Sequence, residues 1–274
     1  MEQKIRRFVE IQHNHGTISA LNSTKSYLKN KYWNVKGGTQ TLTIGNLSAE
    51  FDATTDRGGD KIRWMCNAEE RFLKDISNEL KDDDVFFDIG ANLGVFSCFA
   101  SQVVSRGHIV AFEPYPPNYR QLNRNLSYNA PSSSYDVFDI ALSNSQGSIE
   151  FSSPSNDTGN QTANISPTGD SIEVQEIPGD QLVTDRSVPS PTVVKIDVEG
   201  SEPLVIDGLE ESLNHSSCRI LYCEIHLPKK SGSRPSVEYY GESQKSMLEK
   251  ISKLGFDITY SEKRDREVHV KAEK

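Results

Sequence analysis

The sequence predicts an open α/β fold: a mostly parallel, seven-stranded sheet, doubly wound, with helices on both faces. Three observations predict it. Short apolar runs alternate with helical patterns from VFFDIG (85–90) to YDVFDIALS (135–143), the mark of a parallel sheet with crossover helices. The apolar runs end in acids and glycine, as in Asp88-Ile89-Gly90 and Asp197-Val198-Glu199-Gly200. Finally, DITYSEKRDREVHVKAE (257–273) reads as two strands about a charged turn, a closing antiparallel hairpin.

Taken in order, residues 1–35 read as one or two short helices of mixed charge. TLTIGNLSAEF (41–51) alternates about Gly45-Asn46 and predicts a small hairpin, and DRGGD (56–60) a loop. In NAEERFLKDISNEL (67–80), Phe72, Ile76 and Leu80 recur at helical spacing, with Asn67 as the N-cap. An N-terminal segment, 1–66, is thereby set apart from a main domain, 67–274. Helices are predicted over ANLGVFSCFASQVV (91–104) and PPNYRQLNRNLSYNA (116–130), and a strand over HIVAFEP (108–114). Residues 144–170 are a polar excursion, followed by an exposed strand, SIEVQEI (171–177). TVVKIDVEG (192–200) and CRILYCEIHL (218–227) are strands about a short helix, PLVIDGLEESL (203–213). A loop over 228–243 leads to an amphipathic helix, SMLEKISKLGF (246–256), ended near Gly255.

Composition narrows the function classes. The chain of 274 residues is 35% hydrophobic and 25% charged, with a net charge of -9. That acidity disfavours non-specific nucleic-acid binding, which needs a cationic surface. No apolar run approaches the roughly 20 residues of a membrane span, and no signal peptide is read at the N-terminus. The expectation is a cytoplasmic protein. Its 4 cysteines form no CxxC pair and read as reduced thiols.

Ligands of such a sheet lie beyond the carboxyl ends of its strands. The first strand ends at Asp88, and Gly90-Ala91-Asn92-Leu93-Gly94 follows. Gly90 permits a sharp turn, Gly94 close helix packing, and backbone N–H groups there are expected to face the ligand. A pyrophosphate-binding turn prefers G-x-G-x-x-G. Asn92 occupies the middle glycine's place, and Asp88 would repel phosphate. A cationic sulfonium bearing an ammonium group suits that charge, so S-adenosyl-L-methionine is expected in preference to NAD. Glu113 closes the next strand, where an acid accepts ribose hydroxyls, and Pro114 turns the chain away. Adenine is expected by Asp139-Ile140-Ala141, with Asp139 or backbone groups on its amine.

The other half of the cleft is expected from Lys195, Asp197 and Glu199. Period 2 puts these on one side if the strand persists. Asp197 and Glu199 can serve cofactor, acceptor or a metal. Glu224 and His226 repeat the device on the next strand, and His226 is the candidate general base. Two carboxylates and a histidine can hold a divalent metal, but the sequence alone assigns none.

At these residues the chain resembles the FkbM-family methyltransferases. The resemblance rests on FFDIGANLGVFSCFAS, VAFEPYPPNYRQLNRNLSYN, ALSNSQG and VVKIDVEGSEPLVIDGLEESL with CEIH, over roughly 67–227. It implies a class I S-adenosylmethionine fold and O-methylation of a sugar, glycolipid or natural-product hydroxyl. It also implies cofactor contacts at Asp88, Gly90, Asn92 and Glu113, and an active centre lined by Asp197, Glu199, Glu224 and His226. Methyl esterification of a sugar carboxylate, which needs no base, is the alternative. An NAD-dependent oxidoreductase is the reading from another enzyme class.

Overall fold

A hydrophobic period of two organises the central sheet, and each of its faces buries a separate cluster. The computed structural model describes residues 38–54, 58–131, 134–152, 164–165, 171–185, 187–228 and 235–274. The helices expected before residue 36 lie outside them. Strands β1 (Thr39–Ile44) and β2 (Leu47–Asp52) form the expected hairpin, joined through Gly45-Asn46. Helices α1 (Gly58–Ala68) and α2 (Glu70–Glu79) follow. The main sheet then begins with β3 (Val85–Ile89), α3 (Val95–Ala100), β4 (His108–Phe112), α4 (Pro116–Asn129) and β5 (Tyr135–Phe138).

A smaller sheet intervenes: β6 (Ala141–Ser143), β7 (Gly147–Ser152), β8 (Asn164–Ile165) and β9 (Ser171–Pro178), in the order β6-β9-β7-β8. Helix α5 (Gly179–Thr184) leads to β10 (Val193–Ile196), α6 (Glu202–Gly208), α7 (Glu210–Asn214) and β11 (Ile220–His226). Helix α8 (Gln244–Lys253) precedes the closing hairpin, β12 (Asp257–Arg264) and β13 (Glu267–Glu273).

The main sheet has seven strands in the order β12-β13-β11-β10-β3-β4-β5. Strands β3, β4, β5, β10 and β11 pair in parallel, and β13 runs antiparallel to both β11 and β12. This is the class I methyltransferase arrangement. The chain moves one way from β3 to β5 and then returns to lay β10 on the other side of β3. The switch point therefore lies between β3 and β10, where such sheets take their ligands.

Phe86, Ile109, Ala111, Val193 and Tyr222 point to one face, buried with the β1–β2 hairpin and α1 to α4. Phe87, Val110, Val194, Leu221 and Cys223 point to the other, against α6 to α8. Strands buried on both faces read as near-continuous apolar runs. All four cysteines are buried and free. Among the described residues no helix is long and apolar enough to cross a membrane.

Several boundaries differ from expectation. DRGGD is not wholly a loop, because α1 starts at Gly58. Asn67 lies inside α1, and Glu69 takes the N-cap position of α2. The residues Ile62, Met65 and Cys66, spaced three and four apart, form a buried stripe of their own. The boundary expected at residue 66 therefore falls within a helix. The strand region 135–143 breaks at exposed Asp139, so that β5 and β6 join different sheets. Helix α3 is shorter than 91–104, because 91–94 form the turn that precedes it.

The amino-terminal ends of β3, β10 and β11 converge on one buried carboxylate, Asp84. Thr192 Oγ1 donates to it at 2.6 Å, the Lys81 N–H at 2.6 Å, and the Arg219 guanidinium reaches both oxygens. Burial opposes the charge, but Arg219 and Thr192 outweigh it and hold the carboxyl below its usual range. Removing one partner of such a pair strands the other. Asp84→Ala is expected to cost about 3 kcal/mol in urea unfolding. Because the folded pKa is depressed, the stabilisation is full above the unfolded value, about 3.9, and fades as pH falls through the folded one. The urea midpoints of wild type and Asp84→Asn are expected to converge in acid.

Candidate active site

A cleft of ≈ 270 Å³ opens over the tips of β3, β4, β10 and β11. Of the expected cofactor residues, Gly90, Ala91, Asn92, Glu113, Pro114 and Ala141 line it. Asp88, Gly94 and Asp139 do not.

Asp88 is fully buried beneath the turn. Its Oδ2 accepts from Ser97 Oγ at 2.6 Å and from the Ser97 N–H at 3.1 Å. Its Oδ1 lies 3.4 Å from Lys195 Nζ. The carboxylate thus faces α3 and an internal cation, not the cleft, and direct contact with a sulfonium does not fit this geometry. Asp139 is exposed outside the cleft. Its neighbours Ile140, Ala141 and Leu142 supply an apolar wall facing Phe112 instead.

The turn itself also differs from expectation. The N–H groups of Gly90 and Ala91 both donate to the Phe112 carbonyl, at 3.0 Å each. That of Asn92 donates to Glu113 Oε2 at 2.8 Å, and that of Gly94 to the Ala91 carbonyl at 2.8 Å. These donors are engaged within the protein and do not face a ligand. Gly90 stands at φ 77, and a Cβ there would come 1.8 Å from the Asp197 carbonyl oxygen. Gly94 meets its expectation of close packing, since its Cβ would strike Leu122 of α4 at 2.5 Å.

The ligand-facing groups are acceptors. Glu113 takes the Asn92 and Tyr115 N–H groups, one on each oxygen, and keeps a lone pair free on each. Burial pushes its carboxyl up to about 7. Asn92 adopts φ 52, and its buried Oδ1 has no hydrogen-bond partner.

On the other side, β10 ends at Ile196, so the expected three-residue alternation does not run its length. The chain turns at once, and Glu199 takes φ 54. The charged groups meet nonetheless. Lys195 Nζ lies 3.4 Å from Asp197 and donates to the Gly90 carbonyl at 3.2 Å. His226 is buried, with Nδ1 2.8 Å from Glu202 Oε1. Its Nε2 faces Glu199 at 3.7 Å, Glu267 at 3.9 Å and Asp197 at 4.0 Å. Burial opposes a charge on this ring, but Glu202, Asp197 and Glu199 outweigh it and hold the pKa up, at about 10. These acids favour the protonated ring, in which Nε2 has no lone pair, and that weighs against the general-base role expected of His226. Glu224 also lines the cleft, and burial together with Asp197 drives its carboxyl well above the usual range.

Several site residues escaped the sequence reading. Glu202 sits within EGSE, just before the helix read over 203–213, and is assigned no role. Arg266 and Glu267 read as a charged turn, yet β13 pairs with β11 so that Glu267 faces His226 and His269 faces Glu224. Arg266 Nη2 donates to Glu199 at 2.6 Å. Trp64 and Glu69, from α1 and its junction with α2, close the rim.

Comparison with known proteins gives the family. A family model described as the methyltransferase FkbM domain matches residues 88–258. Hexuronic acid methyltransferase AglP of Haloferax volcanii is 34% identical over 214 residues, covering 78% of this chain and 84% of that protein. The 31-O-demethyl-FK506 methyltransferase FkbM of Streptomyces tacrolimicus is 25% identical over 178 residues, 54% of this chain and 67% of that one. The solved methyltransferase FkbM of Methylobacillus flagellatus has a TM-score of 0.49 at 15% identity, over 72% of this chain and 44% of that one. With its family motifs at the tips of the class I sheet, the chain belongs to the FkbM methyltransferases.

Proposed function

We propose that this methyltransferase uses S-adenosyl-L-methionine to methylate an oxygen of a sugar or similar polyhydroxylated acceptor. One observation carries the reading: a single cleft joins a nucleoside-type half, at Glu113 and Asn92, to an acid–histidine half on β10 and β11.

The residues present fit the cofactor. Glu113 offers two acceptor oxygens to a ribose diol, and the unpartnered Asn92 Oδ1 offers one to a donor such as an ammonium group. The wall from Ile140 to Leu142 suits an adenine. When bound, the cofactor supplies an electrophilic methyl group on a cationic sulfur. A dinucleotide fits poorly, because the Gly90, Ala91, Asn92 and Gly94 N–H groups of the turn are already bonded within the protein.

A sugar is favoured on the acceptor side by Trp64. It is 56% exposed at the rim of the cleft, where an indole offers a flat apolar surface to a pyranose ring. The relative's name, hexuronic acid methyltransferase, points to the same class. A uronate carboxylate would need no base, whereas a hydroxyl must lose a proton. His226 Nδ1 is held by Glu202 and its Nε2 faces Glu199, Glu267 and Asp197, so its part is to hold the surrounding carboxylates in place.

Calorimetry with S-adenosylhomocysteine is expected to show one site per chain, and NADH none. The reverse result overturns the reading. Gly90→Ala is expected to abolish that binding, because the new methyl group meets the Asp197 carbonyl. Glu113→Ala is expected to weaken it about tenfold or more. Trp64→Ala is expected to raise the acceptor KM about tenfold and leave S-adenosylhomocysteine binding unchanged. Mild alkali decides the acceptor oxygen: a methyl ester on a hexuronate is cleaved, and a sugar methyl ether survives.

A further inference from the structure

We propose that Asp197, Glu224 and His226 bind one divalent cation of the magnesium or manganese class in the acceptor half of the cleft. The three ligand atoms lie within 4.8 Å of one another, and all three residues line the cleft. Small divalent ions take oxygen ligands at about 2.1 Å, so donors on opposite sides of one ion stand roughly 4 Å apart.

The spacing about His226 matches. Its Nε2 stands 3.7 to 4.0 Å from oxygens of Glu199, Glu267 and Asp197. Those separations are too long for hydrogen bonds; the Glu199 oxygen is taken by Arg266, while Asp197 Oδ1, at 4.0 Å, stands as a donor opposite Nε2 across one ion would. The other ring nitrogen is held differently: Nδ1 sits at 2.8 Å from Glu202, which itself accepts the Gly200 N–H at 2.9 Å. A carboxylate fixing one nitrogen while the other faces the ligand set is the usual support of a metal-bound imidazole; on binding, the ion displaces to solvent the Nε2 proton and any carboxyl proton that the metal-free site holds.

A second observation points the same way. Glu224 has a side chain only 7% exposed, and its Oε1 has no hydrogen-bond partner. Natural proteins seldom leave a buried oxygen so. Its other oxygen lies 3.6 Å from His269 Nε2, and neither nitrogen of His269 makes a hydrogen bond. His269 and Glu69 thus stand behind the shared carboxylate as a reserve of donor atoms. The set is oxygen-rich with one imidazole and no thiolate, which favours magnesium or manganese over zinc in a cysteine site.

Such a cation brings positive charge to a pocket crowded with carboxylates. It also offers open positions to neighbouring oxygens of an acceptor. That second role rests on the methyl-transfer reading, whereas the binding itself does not.

The test uses full-length protein freed of metal with a chelator and titrated with Mn2+, followed by electron paramagnetic resonance and calorimetry. One Mn2+ per chain is expected, with a raised Tm. Glu202→Gln, which alters no ligand, is expected to weaken binding about 10- to 100-fold. Glu224→Gln and His226→Ala are expected to weaken it at least as much, with unchanged circular dichroism. Absence of saturable binding in the wild type overturns the site, and so does unchanged affinity in folded Glu224→Gln. S-adenosylhomocysteine binding, measured on the same samples, separates the two readings. Its retention without Mn2+ binding removes the cation site alone, and Mn2+ binding without it supports the cation site and removes the methyl-transfer reading alone.

Discussion

The Lys195 ammonium holds the switch point together. It is 3% exposed, in a position where an unpaired charge would not persist. Asp88 on β3 and Asp197 just past β10 lie 3.4 Å away on either side, and the Gly90 carbonyl accepts its proton. Its ammonium also lies 4.9 Å above the Phe96 ring. Burial opposes this charge, but Asp197 and Asp88 outweigh it and hold the lysine's pKa above its ordinary value. One cation therefore joins two adjacent strand tips and the turn between cofactor and acceptor halves. The close approach of Gly90 to the Asp197 carbonyl follows from that junction.

This junction also shows where sequence reasoning succeeds and where it stops. The central strands were legible because β3, β4, β10 and β11 are buried on both faces and read as apolar runs. The antiparallel ending was legible because two strands about a charged turn close the chain. Glu113 and the Gly90 turn were legible because acids and glycines at strand ends have few other uses. The direction of Asp88 was not. Its partners are Ser97, in α3, and Lys195, brought from a distant strand, and only the folded sheet shows Ser97 on one oxygen and Lys195 beside the other. Asp139 failed for a related reason: the chain leaves the sheet at that residue and carries its side chain into solvent.

The acceptor half was only partly legible. Asp197, Glu199, Glu224 and His226 all reach one place, although the strand that was expected to align the first two ends early. Arg266, Glu267 and His269 arrive by antiparallel register with β11, which sets Glu267 opposite His226 and His269 opposite Glu224. A run of mixed charge carries no signal of that register. The general-base reading of His226 is weakened by other neighbours, because Glu202, Asp197 and Glu199 favour a charged ring.

The two halves of the cleft therefore follow opposite electrostatic rules. In the nucleoside half, backbone donors are consumed by Phe112, Glu113 and Ala91, and the groups left to a ligand are acceptors. Those engaged backbone donors offer little to a phosphate, while a hydroxylated sugar and an ammonium group do find partners. In the other half, carboxylates outnumber the nearby cations and some of their oxygens remain unsatisfied. A neutral polyhydroxylated molecule can donate to those oxygens directly, but an anionic one must first have their charge offset. Selectivity between neutral and acidic acceptors thus depends on how positive charge is supplied around His226, and not on the shape of the sheet that carries it.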